Sequence, residues 1–65
     1  MSYTGIVKFL NRKNKFGFII ENNTKAEYYF HIRSLLEEVT DGDSVTFELE
    51  EQKRGPACIN IRKTN

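Results

Sequence analysis

The chain has 65 residues, one cysteine, one histidine and a formal net charge of +1, so it is read as one domain spanning residues 1–65. A chain this short buries only roughly 60% of the surface its unfolded form exposes. Cys58 alone makes no internal disulfide, and with His31 it falls short of a structural zinc site, so an apolar core has to stabilise the fold and no metal or cofactor is expected. The start MSYTG lacks the basic and apolar segments of a secretory signal, no apolar run approaches the ~20 residues of a membrane span, and the thiol is unpaired. The expected setting is the cytoplasm, without membrane contact.

Thr4 to Leu10 is rich in β-branched and aromatic residues and ends at the polar run Asn11 to Asn14, which predicts a strand and a turn. A second strand follows in KFGFIIE, residues 15–21. The turn formers Asn22 to Lys25 then lead into a third strand, Glu27 to Ile32. Ser34 to Glu38 reads as one helical turn with a serine cap and Glu37 closing a capping box. After the turn Thr40 to Asp43, SVTFELE alternates strictly, with Val45, Phe47 and Leu49 on one face. A polar loop ending in Gly55-Pro56 precedes a fifth strand, Ala57 to Arg62, in which Ile59 and Ile61 are expected to share a face, with Cys58 a small barrel residue. The fold class is all-β: a five-stranded antiparallel barrel, closed because closure removes unpaired edges.

KFGFI places Phe16 and Phe18 on one side of the second strand and Gly17 and Ile19 on the other. An aliphatic core turns Phe16 and Phe18 outward, and the same parity turns Tyr29 and His31 outward while Tyr28 and Phe30 point in. Four rings then share a patch beside Lys8, Lys13 and Lys15. Parity by itself leaves the opposite assignment open, since phenylalanine is commonly buried. The glycine between the two rings suits close approach of either a flat ligand or another backbone. In the first strand Val7 and Phe9 have the same parity but need opposite faces, which calls for a bulge or strong coiling. The half from Met1 to Arg33 carries six basic residues against two acidic, a net of +4, and the remainder is −3. The basic half also holds the rings.

These residues resemble the bacterial cold shock proteins. KFGFI is similar to their first ribonucleoprotein motif, Lys-Gly-Phe-Gly-Phe-Ile, and YYFHI to their second, Val-Phe-Val-His-Phe. TGIVKFLN, DGDSVTFEL and RGPACINI extend the likeness over nearly the whole chain, in order. The resemblance implies a barrel of the oligonucleotide-binding type that stacks the bases of single-stranded RNA or DNA on exposed aromatic rings. It carries a binding role to Phe9, where the family usually has tryptophan, and to Phe16, Phe18, Tyr29, His31, Lys8 and Arg54. With Lys13 and Lys15 from the patch, these form the candidate nucleic-acid-binding set.

Four departures matter: Asn14 stands for a lysine, Lys15 for a glycine, Ile32 for an aromatic, and the segment from Leu35 to Val45 is about four residues short of the usual length, which removes another aromatic. Fewer rings imply weaker binding than is usual for the family. The function expected is that of a passive RNA chaperone, with effects on translation or transcription termination implied by the resemblance. No phosphate-binding loop is present to drive unwinding with ATP, and no nucleophile or carboxylate is placed beside His31 by spacing, so no catalysis and no small-molecule substrate are expected. The expected state is a monomer. The competing reading is a protein-interaction or oligomerisation module using the same aromatic patch.

Overall fold

The computed structural model describes residues 2–64. Its elements are β1 (Tyr3–Asn11), β2 (Phe16–Glu21), β3 (Glu27–His31), a 3-10 turn (Ile32–Ser34), β4 (Ser44–Gln52) and β5 (Gly55–Lys63). The strands form a closed barrel in the order β1-β2-β3-β5-β4, with β4 returning to pair with β1. Four seams are antiparallel. An odd number of strands cannot alternate in direction all the way round, and the parallel contact of β3 with β5, Tyr29 opposite Ala57, completes the ring. Among the described residues no helix is long and apolar enough to cross a membrane.

The barrel is filled by Val7, Ile19, Phe30, Val39, Val45, Phe47, Cys58 and Ile61, with Tyr3, Leu10, Tyr28, Leu35 and Leu49 packed against them. Parity is therefore decided: Gly17 and Ile19 face inward and Phe16 and Phe18 lie outside this cluster. The parity conflict in β1 is resolved by a bulge, because Val7 pairs with Ile19 but Phe9 with Phe18, leaving Lys8 as the extra residue. A second bulge corrects the reading of β5. Thr46 pairs with Arg62 and Glu48 with Ile59, so two residues of β4 span three of β5, and Asn60 takes a left-handed backbone with φ 52°. Cys58 and Ile61 consequently fill the core while Ile59 falls outside it. Burial among apolar neighbours pushes the Cys58 thiol up to about 12, which keeps it protonated and inert.

The helical turn also forms earlier than predicted. It covers Ile32–Ser34 and is capped by His31, whose Nδ1 accepts from the Arg33 backbone N–H at 3.1 Å. Leu35 is instead extended, bridges to Ile61 and packs on the core, so burial of Leu35 overrides the local capping signal at Ser34. Glu37 caps no helix; its Oε1 accepts from the Lys63 N–H at 2.8 Å. The short segment that follows takes the place of β4 along β1. Gly42 N–H donates to the Val7 carbonyl, Val7 N–H to the Asp43 carbonyl, and Leu10 N–H to Asp41 Oδ1. Arg12 holds this segment from outside through the Val39 carbonyl at 3.1 Å and Glu38 at 3.2 Å.

Glu21 ends β2 buried, with only 4% of its surface exposed. Its carboxylate accepts from the Thr24 hydroxyl at 2.7 Å and from the backbone N–H groups of Asn23 and Thr24, shaping the turn into β3. Those bonds, the Thr24 hydroxyl foremost, lower its pKa from the ordinary 4.5 against the opposing effect of burial. A carboxyl with a lowered folded value contributes stability that is present above 4.5 and lost as pH falls through that lowered value. Thermal melts should therefore show a drop in midpoint on acidification below about 4.5 that is smaller in Glu21→Gln. A drop of equal size in that variant would remove Glu21 as its source.

Candidate nucleic-acid interface

The bulge in β1 and the period-two alternation of β2 and β3 bring four rings to one outer face. Phe9 pairs across the ladder with Phe18, and Phe18 with Tyr29. Ring centroids lie 5.5 Å apart for Phe9 and Phe18, 6.0 Å for Phe9 and Phe16, 6.1 Å for Phe16 and Phe18, 6.2 Å for Phe18 and Tyr29, and 6.0 Å for Phe16 and Tyr29. Phe16 and Tyr29 are near-parallel at 22°, and the other pairs are tilted or edge-on. Each such pair is worth about 0.5–1.5 kcal/mol beyond its area, so the rings hold one another in place before any ligand arrives. All four are half-buried and none belongs to the core.

Gly17, between the two rings in sequence, is buried on the opposite face of β2. A Cβ there would lie 2.5 Å from the Phe9 carbonyl oxygen and 2.7 Å from the Phe30 ring. The glycine thus serves close packing on the inner side, by a neighbouring backbone and a core ring, and not the approach of a ligand from outside.

The polar candidates divide. His31 pairs with Phe16 across the ladder and lies at the edge of the patch. Lys8 is on the outer surface but engages Glu27 at 3.0 Å, an exposed pair worth about 0–1 kcal/mol. Lys13 and Lys15 occupy the turn between β1 and β2, and Arg54 the turn between β4 and β5, and none of the three has an ion-pair partner among the described residues. Arg54 joins Tyr29, Gln52 and Lys53 around a surface hollow of about 370 Å³. A second hollow of about 230 Å³, lined by Tyr29, His31, Arg33, Ser34 and Gln52, adjoins it. Gln52, Lys53 and Arg33 were not singled out from the sequence. Their only signal was polarity, because the seam between β3 and β5 that gathers them at Tyr29 is a long-range pairing.

The profile of the family described as the 'Cold-shock' DNA-binding domain matches residues 3–64. The chain belongs to the cold-shock domain family. Among curated proteins it is similar to the cold shock-like protein CspG of Shewanella violacea, 33% identical, covering 92% of this chain and 91% of that one. It is 34% identical to Y-box-binding protein 1 of Xenopus laevis over 88% of this chain and 22% of that protein. Among solved structures, the Drosophila Unr segment CSD456 superposes with a TM-score of 0.85 at 24% identity, covering all of this chain and 27% of that one, a likeness of fold.

In this cold-shock domain Lys15, which aligns with a glycine in the motif it resembles, has a left-handed backbone at φ 64°. An L-residue held there costs about 1 kcal/mol, part of which glycine returns to the unfolded chain as entropy. Lys15→Gly should therefore raise the unfolding free energy by about 0.5 kcal/mol in denaturant titrations. If Lys15 touches a phosphate, the same change lowers affinity for a single strand, so stability and binding should move in opposite directions. A variant both less stable and unchanged in binding would contradict both assignments.

Proposed function

We propose that this protein binds unpaired RNA or DNA by stacking bases on Phe9, Phe16, Phe18 and Tyr29, with His31, Lys8, Lys13, Lys15 and Arg54 meeting the sugar-phosphate chain, and that it acts as a passive RNA chaperone. The observation that carries this reading is the preassembled cluster of four half-buried rings on the outer face of β1 to β3. Family membership supports it, since the matching profile is that of a DNA-binding domain. Every base offers a π-face to such a platform, whereas a duplex hides those faces in its own stack. Binding only the open strand shifts a hairpin toward its unfolded form by mass action, in proportion to RT ln(1 + [L]/Kd), with no fuel consumed.

The protein acts in this reading as a monomer and without chemical turnover. In support of a monomer, Leu36 is the one exposed large apolar side chain among the described residues, and it is not one of the patch rings. Titration of a labelled oligothymidine at low and moderate salt tests the proposal. Binding that weakens with salt, and an RNA hairpin whose melting temperature falls as protein is added, are expected. No detectable oligonucleotide binding, combined with self-association through the patch, would overturn it in favour of a protein-interaction module.

A further inference from the structure

The two hollows beside Tyr29 form one feature, since they share Tyr29 and Gln52, and three cations surround them: Arg33, Lys53 and Arg54. None of these cations has an ion-pair partner among the described residues. Among the described residues the single carboxylate bonded to the lining is Glu50, whose Oε1 accepts from Gln52 Nε2 at 3.1 Å and so leaves the Gln52 amide oxygen and the cations unspent. His31 and Arg33 are coupled. His31 Nδ1 accepts from the Arg33 backbone N–H at 3.1 Å and lies 3.5 Å from Arg33 Nε. An imidazole that accepts at Nδ1 carries its proton at Nε2 and offers it as a donor, and the Arg33 guanidinium still presents its two terminal nitrogens as a fork.

From this geometry, and resting on the stacking reading above, we propose that His31, Arg33 and the Lys53-Arg54 turn form a phosphate-holding subsite at the Tyr29 end of the ring patch. It takes the phosphodiester of a nucleotide that continues past the last stacked base. Three cations without ion-pair partners among the described residues, set around an open hollow, favour a phosphate over a base edge, because the guanidinium fork matches two phosphate oxygens. Arg33 is the residue that distinguishes the subsite from a generic basic surface, because its backbone N–H donates to the His31 cap of the 3-10 turn while its side chain leans on the same imidazole. It acts on affinity and site length, and it leaves base preference unchanged.

A length series of oligonucleotides from about three to about eight nucleotides, in thymidine, cytidine and adenosine versions, tests this against wild type, Arg33→Ala, Arg33→Lys and Phe18→Ala. The cap uses the Arg33 backbone N–H, which alanine retains, so Arg33→Ala is expected to fold as wild type does. Wild type should gain about tenfold in affinity once the strand is long enough to reach the hollow, and its log-log salt slope should steepen by about 0.7. Arg33→Ala should lose that gain for all three bases alike while binding the shortest strands normally, and Arg33→Lys should recover part of it. If Arg33→Ala follows wild type at every length while Phe18→Ala binds poorly, the phosphate subsite is overturned and the stacking reading stands. A loss confined to one base would replace phosphate holding by base-edge readout and equally overturn it. Failure of wild type to bind any strand would overturn the stacking reading and the subsite together.

Discussion

Phe18→Ala is expected to reduce affinity for a pyrimidine strand by about 5- to 140-fold, the equivalent of 1–3 kcal/mol of lost base stacking. The upper part of that range applies because Phe18 is central. Its ring lies 5.5 Å from Phe9, 6.1 Å from Phe16 and 6.2 Å from Tyr29, so its removal takes one platform and loosens the support of three others. Phe16→Ala should be comparable, since that ring touches the same number of neighbours. The double variant should lose less than the product of the two single losses, because each single change already unsettles the rings they share. Both singles should stay folded, as neither ring belongs to the core. Fluorescence titration beside a thermal melt separates the two effects, and Leu36→Ala, an exposed change outside the ring cluster, serves as the control expected to bind normally. Near-wild-type affinity in both ring variants would remove the platform from the mechanism.

The largest effect on stability is expected from Gly17→Ala. Its added carbon has nowhere to go, being 2.5 Å from the Phe9 carbonyl oxygen and 2.7 Å and 2.9 Å from two atoms of the Phe30 ring. A flexible side chain would yield, but the nearest atom is backbone, held by the pairing of β1 with β2, and Phe30 is fully buried. Overpacking of this kind costs about 1–3 kcal/mol, occasionally more. A barrel of this size holds only several kcal/mol in total, so a large unfolded fraction at room temperature is expected by circular dichroism. The sign also discriminates between two uses of the glycine. If Gly17 were kept small to admit a ligand, alanine would fold normally and bind weakly. If it is kept small for Phe30 and for the β1 backbone, alanine unfolds the protein, and any binding lost goes with the fold.

Much of this was legible in the residues. The alternation Val45, Phe47, Leu49 identified the inner face of β4, and the parity of KFGFI and YYFHI, once tied to an aliphatic core, turned Phe16, Phe18 and Tyr29 outward and Phe30 inward. Even the bulge in β1 was visible as a conflict, because Val7 and Phe9 could not both satisfy a period of two. The bulge in β5 gave no such warning. ACINIR alternates acceptably in either reading, and only the register against β4, with Asn60 in a left-handed conformation, selects Cys58 and Ile61 for the core over Ile59. The helical turn was misplaced for a related reason: Ser34 and Glu37 carry a sound local capping signal, but Leu35 is worth more buried beside Ile61 than wound into a helix.

Strand number, facing and ring patch follow from short-range periodicity, which a single chain displays openly. Where the barrel shuts, how the segment before β4 substitutes for a strand beside β1, and which cations gather at Tyr29 depend on contacts between residues distant in the chain, such as Tyr29 with Ala57 and Leu10 with Asp41. Those pairings are chosen by closure and burial of the whole barrel, free energies that no local stretch of residues expresses.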